Sequence, residues 1–448
     1  MGLRLYQSDM NAQRLSVYLV VLNAVLFSGA AVESKVSLGD PATAARAINA
    51  LGLDLLAKGT APGANALLSP YSIQTALAMV LAGAAGETRT EMARVLHYSG
   101  DEAALHLSFA ALERALDEAA RSTLARAEGA RAWGGPTDPV TLTVANRLFG
   151  QEGYAFRGPF LSLLKETYRA PLQRLDFARE PKAATREINA WVERQTRERI
   201  RDLIPVDGLD TNARLVVANA IYLKAPWAME FVASGTQPRP FHVRGGRVRN
   251  VPTMVRWANF GHRCRDGFTA VTIPYIGGEI QYLVLLPDRT DGLEELEARM
   301  TPALLASCGN ADAVEVVLYL PKFRIEPLLF RLGAVLRSLG MRSAFDEPRG
   351  AANFDRMAPR HGGDSLCLSE LFHKTFLALD ERGTEAAAAT AAAMAPTSAL
   401  AQGRPKPIEV RVDRPFLFAI QHRTSGACLF LGRITEPDRV GFHVKGHP

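Results

Sequence analysis

Cysteine is scarce in this chain of 448 residues: Cys264, Cys308, Cys367 and Cys428, with no C-x-x-C pair among them. That excludes a disulfide framework and gives neither zinc-ligand nor thioredoxin-type spacing. A dense basic block is also missing. The net charge is +6, but Arg121, Arg126 and Arg131 are interleaved with Glu128 and alanines. They read as a solvated face, and no nucleic-acid partner is expected. The chain has no G-x-S-x-G, no H-E-x-x-H and no phosphate-cradling Gly loop. One esterase-like tetrapeptide motif exists within "GGDSL", Gly362–Leu366, but it lies late in the chain. Only His373 and His422 stand near it as bases, so Ser365 reads as a chance match and not as a nucleophile. No enzyme activity, metal or cofactor is expected. There is no N-x-S/T sequon, which fits a bacterial exported protein better than a eukaryotic one.

A long membrane-spanning run is lacking too. The apolar stretch Leu15–Phe27 is interrupted by Asn23 and is too short to span a bilayer. It follows Arg14 and precedes the small residues Ser28–Ala30, which is signal-peptide order. Residues 1–30 are therefore expected to be a signal peptide, with Met10 as an alternative start because Asp9 suits a basic n-region badly. The expected location is secreted or periplasmic, with no stable membrane insertion.

What is present is globular composition: 48% hydrophobic and 22% charged residues. Asp40–Gly59 has helical apolar spacing, and Ser69 with Pro70 marks a capped helix start. A further helix starts after Gly86, and the amphipathic stretch Ala184–Ile204 predicts another. Leu142–Gly150 and the continuous apolar run Ala213–Trp227 predict strands. More strands are expected at 268–276, 280–287, 314–326, 407–422 and 426–437. Irregular alternation of helices with long strand runs predicts an α+β fold with more than one sheet. No linker divides the chain, so residues 31–448 read as one domain.

Near the C-terminus, Ala386–Ala393 is alanine except for Thr390, and Pro396 follows. Alone this suggests a surface helix or a linker. Eight separate blocks give it another meaning. "NALLSPYSIQTALAMVLAGAAGETRTEM", "LTVANRLFG", "INAWVERQTRERI", "LVVANAIYLKAPW", "VPTM", "LPKF", "LSELFHKTFLALDERGTEAAAAT" and "RPFLFAIQHRTSGACLFLGRITEP" occur in that order. From about Ala42 to Pro437 the chain resembles the serpin family. The resemblance implies about nine helices, three β-sheets and an exposed reactive-centre loop, here about residues 381–407.

The resemblance further implies a suicide-substrate inhibitor of serine proteases, monomeric, whose cut loop inserts into the main sheet. The alternative is a non-inhibitory carrier, chaperone or storage protein. The hinge matches at Glu381, Gly383, Thr384, Glu385, Ala386, Ala387, Ala388, Ala389 and Thr390. Ser69, Ser72, Asn219 and His373 resemble the "shutter", and Trp227 resembles the aromatic of the "breach". Ala225 departs from the family's usual Gly beside it. Counting from Glu381 places the bait bond at Thr397–Ser398, which suits an elastase-like or subtilisin-like protease. Counting back from the "RPF" block gives Arg404 and a trypsin-like protease. Met394 and Leu400 are secondary candidates. Strand alternation would turn Thr384, Ala386, Ala388, Thr390, Ala392 and Met394 inward. It would turn Glu385, Ala387, Ala389, Ala391, Ala393 and Ala395 towards solvent.

Overall fold

The computed structural model describes residues 39–98, 100–130, 138–327, 329–359, 366–385 and 406–437. The expected signal segment, Arg131, Ser365, Ala386–Ala389, Thr390, Met394, Thr397, Ser398, Leu400 and Arg404 lie outside the described residues.

Nine α-helices are described: α1 Pro41–Gly59, α2 Pro70–Gly83, α3 Gly86–Val95, α4 Glu102–Ala130, α5 Gly158–Glu166, α6 Pro181–Gln195, α7 Leu293–Arg299, α8 Pro302–Cys308 and α9 Gly333–Ser338. The strands are β1 Ala66–Leu68, β2 Thr141–Gln151, β3 Gln173–Leu175, β4 Leu215–Pro226, β5 Gln237–His242, β6 Val248–Arg265, β7 Phe268–Pro274, β8 Ile280–Pro287, β9 Asp312–Pro321, β10 Phe323–Ile325, β11 Phe330–Arg331, β12 Leu368–Thr375, β13 Leu377–Asp380, β14 Gly383–Thr384, β15 Ile408–Arg411, β16 Phe416–His422 and β17 Cys428–Ile434. Local chemistry sets several starts. Asp40 accepts a hydrogen bond from the Ala42 N–H at 3.0 Å ahead of α1, and Ser69 Oγ accepts from the Ser72 N–H at 3.1 Å ahead of α2.

The first sheet is built around β4. On one edge β4 pairs antiparallel with β2, which carries β3. On the other edge its lower half pairs parallel with β12, Leu215–Ile221 against Leu368–Thr375. Above that point β12 continues as β13, which leaves β4. The two-residue strand β14 fills the gap, antiparallel to both β13 and β4. The second sheet runs β1-β17-β16-β8-β7-β6-β9-β15, with β5 also on β6. β6 has 18 residues. Its end pairs with β7, and the rest with β9 and β5. The expected second and third sheets are thus hydrogen-bonded into one network through this strand.

The main core lies between α1, α2 and the inner faces of both sheets. A second cluster seals α6 onto the outer face of the first sheet, where Ile188, Trp191 and Val192 meet Phe149, Val216, Ala218, Ala220 and Phe372.

The helix expected to run to Ile204 stops at Gln195. Thr196 Oγ1 turns back to the Val192 carbonyl at 2.9 Å and accepts from the Ile200 N–H. Asn189 binds both the N–H and the carbonyl of Ile204 at 2.8 Å. These side-chain bonds replace the helical ladder, and Arg197, Glu198 and Asp202 take positive φ. The long α4 was not anticipated; Arg121 and Arg126 are exposed on it, as expected. None of the four cysteines is paired in a disulfide among the described residues. Among the described residues no helix is long and apolar enough to cross a membrane.

Candidate functional site

The site lies where β13, β14 and β4 meet. β13 ends at Asp380, whose Oδ1 accepts the N–H groups of Arg382 and Gly383 and so turns the chain back. Gly383 then lies so close to β4 that a β-carbon would stand 2.1 Å from the Ala225 carbonyl oxygen. Only glycine permits that approach. Thr384 follows, 1% exposed, with Oγ1 2.5 Å from Tyr275 OH. Its side chain points into the main core. Glu385 turns to the other face and meets Arg199 at 2.6 Å. Burial raises the Glu385 carboxyl above its ordinary range, partly offset by Arg199.

Trp227 anchors the turn from below. Its Nε1–H donates to the Asp380 carbonyl at 2.9 Å. Its N–H donates to the Arg382 carbonyl at 2.7 Å. Its ring stacks on Tyr275 with centroids 4.5 Å apart. Glu381 is held by Lys322 at 2.7 Å and by the Thr236 hydroxyl at 2.8 Å. Burial would raise its carboxyl, but the Lys322 hydrogen bond and its other partners bring it below the usual value. Both charges are about 85% buried. Glu381→Lys would leave two buried ammonium groups facing each other. We expect it to cost about 3 kcal/mol, read as a lowered urea midpoint of the intact protein.

Further down the seam, Ser69, Ser72, Asn219 and His373 come together as expected, and Asn146 joins them. The Ser69 N–H donates to His373 Nε2 at 3.1 Å. His373 therefore carries its proton on Nδ1, which donates to Asn219 Oδ1. Asn219 Nδ2 donates to Ser72 Oγ at 2.7 Å and to Asn146 Oδ1. Ser69 Oγ donates to the Leu429 carbonyl at 2.6 Å. The cluster ties α2 to β2, β4 and β12 across the β4–β12 ladder, in which His373 stands opposite Asn219.

Burial pushes the His373 imidazole down to about 3. An unfolded histidine titrates near 6.5. Between those values the unfolded chain binds a proton that the fold refuses, so stability falls as pH drops below about 6.5. The expected slope from His373 is about 1.4 kcal/mol per pH unit, and His422, also lowered by burial, adds to it. Urea midpoints between pH 7 and pH 5 check this, and His373→Gln should be less stable at pH 7 but have a flatter profile.

The two histidines nearest "GGDSL" in sequence are both buried. Both His373 ring nitrogens are occupied inside the core, and His422 is 4% exposed with Nδ1 2.8 Å from Ser425 Oγ. The structure adds Asn146, Tyr275, Lys322 and Arg199 to the residues expected around the site. Asn146 left one signal, a lone amide in an apolar strand. The others are set by long-range pairing that no local pattern carries.

The protein-family model described as "Serpin (serine protease inhibitor)" matches residues 46–437. An uncharacterized serpin-like protein of Thermococcus kodakarensis is 36% identical, over 87% of this chain and 85% of that one. The leukocyte elastase inhibitor of Bos taurus is 34% identical, over 84% and 94%. The crystal structure of human thyroxine-binding globulin complexed with thyroxine superposes with a TM-score of 0.72 at 28% identity, covering 89% of this chain and all of that one. With the family's blocks in order, its model matched over most of the chain and its architecture in place, the chain belongs to the serpin family.

Proposed function

We propose that the chain is an exported, monomeric suicide-substrate inhibitor of serine proteases, one domain over residues 31–448. The observation that carries this is the partly filled seam: Gly383 and Thr384 already form a strand between β13 and β4, while β4 and β12 below them pair directly. The three ladders share one register. Continuing β14 downward sets Glu385 between Lys224 and Ala378. It sets Thr390 between Asn219 and His373, and Met394 opposite Leu215 at the end of β4. On that continuation the hinge, shutter and breach residues would line a single track.

The target protease supplies the nucleophile. Its serine attacks the Thr397 carbonyl, the Thr397–Ser398 bond breaks and an acyl-enzyme forms. The freed arm then enters the seam. Thr397 comes to rest three residues past the start of β4, about 40 Å from the hinge at ~3.3 Å per residue. The acyl-enzyme is drawn to the far end of the sheet, and its oxyanion hole is distorted before water completes hydrolysis. Arg404 would lie ten residues past the sheet end and leave the protease on a slack tether. Its leaving group would also be the imide nitrogen of Pro405. Both points favour Thr397.

The alanines suit this path on both faces. Once inserted, the inward positions would meet the main core. The outward ones were expected to meet solvent, but α6 covers that face over Val216, Ala218, Ala220 and Phe372. Ala389, Ala391 and Ala393 would pass beneath it, where larger side chains would overpack. Support also comes from the name of the elastase-inhibitor relative.

The test is incubation with elastase-like, subtilisin-like and trypsin-like proteases, followed by denaturing gels and mass spectrometry. The expected result is a stable complex and a released fragment beginning at Ser398. A cut loop with no complex would contradict the proposal. A carrier role has one observation in its favour, a cavity of about 780 Å³ lined by residues including Arg46, Asn49, Tyr98, Thr301, Ala306 and Ser425. Ligand retention by a chain that forms no protease complex would favour that reading.

A further inference from the structure

Glu385 is where the inserted strand stops. Its N–H still donates to the Ala378 carbonyl at 2.8 Å, one step beyond the last β13–β14 pair. Its own φ is +50°, which no β-strand can carry forward. A non-glycine residue in that region is strained, so something holds it there. Its side chain is only 10% exposed and is pinned by Arg199 at 2.6 Å. Tyr222, Lys224 and Arg324 also act electrostatically on the same carboxylate.

Arg199 comes from the segment between α6 and β4 in which Arg197, Glu198 and Asp202 have positive φ. That segment is fixed independently of the hinge. Thr196 closes its start. Lys374 of β12 donates to the Arg201 carbonyl at 2.9 Å. The guanidinium is therefore presented from a braced position, on the side of the seam that α6 covers. To admit Ala386, Glu385 must leave the left-handed region and extend opposite Lys224. The Arg199 ion pair stabilises the conformation that has to be given up.

Resting on the inhibitory reading above, we propose that Arg199 is a positioning residue. It holds the reactive arm at two inserted residues and sets the rate at which the cut arm enters the sheet.

The experiment uses the full chain and the Arg199→Ala, Arg199→Lys and Glu385→Gln variants. Loop cleavage is followed by gel, and insertion by stopped-flow tryptophan fluorescence, because Trp227 bonds the hinge directly. Stoichiometry of inhibition is measured alongside. Arg199→Ala and Glu385→Gln should insert about two- to fivefold faster, the range an ion pair with one exposed partner supports. They should also consume fewer inhibitor molecules per protease trapped. Arg199→Lys should stay near the unaltered rate. Loop cleavage should not change, and retention of the unaltered insertion rate by Arg199→Lys separates positioning by the charge from a general structural role. If the unaltered chain inserts and both charge-removing variants insert no faster, the proposal fails while the inhibitory reading stands. If the unaltered chain never inserts after cleavage, both fail.

Discussion

A chain carrying Thr384→Arg is expected to be cut by the target protease and to release it. Thr384 is 1% exposed and bonded to Tyr275 in the one part of the track already occupied. A guanidinium cannot be placed there without burying an unpaired charge, which costs several kcal/mol. The hinge would leave the sheet, and the arm could start down the seam only by driving that charge through it. Cleavage itself needs only an accessible loop, so the acyl-enzyme still forms. Insertion then loses the race with hydrolysis. At 1.36 kcal/mol per tenfold, even a modest part of that cost should raise the stoichiometry of inhibition more than tenfold. Thr384→Ser keeps the hydroxyl and loses only a methyl group, and should inhibit nearly as well as the unaltered chain. Gel quantification of complex against cut inhibitor checks both.

Cutting the loop of the unaltered chain should make it more stable. Insertion gives up the direct β4–β12 ladder of seven register pairs and forms two antiparallel ladders on either side of the new strand. The net gain is roughly a dozen hydrogen bonds at about 0.5–1.5 kcal/mol each, on the order of 10 kcal/mol. That is comparable with the whole stability of an ordinary domain, about 5–15 kcal/mol. The uncut fold is then held kinetically. The melting temperature should rise by on the order of 20 °C after cleavage, measured by calorimetry on intact and cut protein. Equal melting temperatures would mean that the arm stays outside.

Much of this architecture was legible in the residues. The run from Leu215 to Pro226 carries the β-branched side chains of a strand buried on both faces. Ser69 before Pro70 marks a helix start, and the same serine serves the polar cluster on β12. The alternation that turns Thr384 inward and Glu385 outward follows from strand geometry alone. What was not legible depends on contacts remote in sequence. The left-handed turn at Glu385 is held by Arg199, 186 residues earlier, and an extended reading of the hinge cannot anticipate it. The outward alanines read as solvent-facing because nothing in their own segment announces that α6 will cover that face. The end of α6 was missed because Ala184–Ile204 keeps a helical pattern after Thr196 and Asn189 have taken over the backbone. Asn146 stood in plain view in an apolar strand, and its partners on α2 and β4 only became visible in the fold.

The most direct test is the structure of the chain after cleavage at Thr397. A new strand should separate β4 from β12, with Thr390 standing between Asn219 and His373. A cut chain in which His373 still lies opposite Asn219, with the β4–β12 ladder unbroken, would contradict the account.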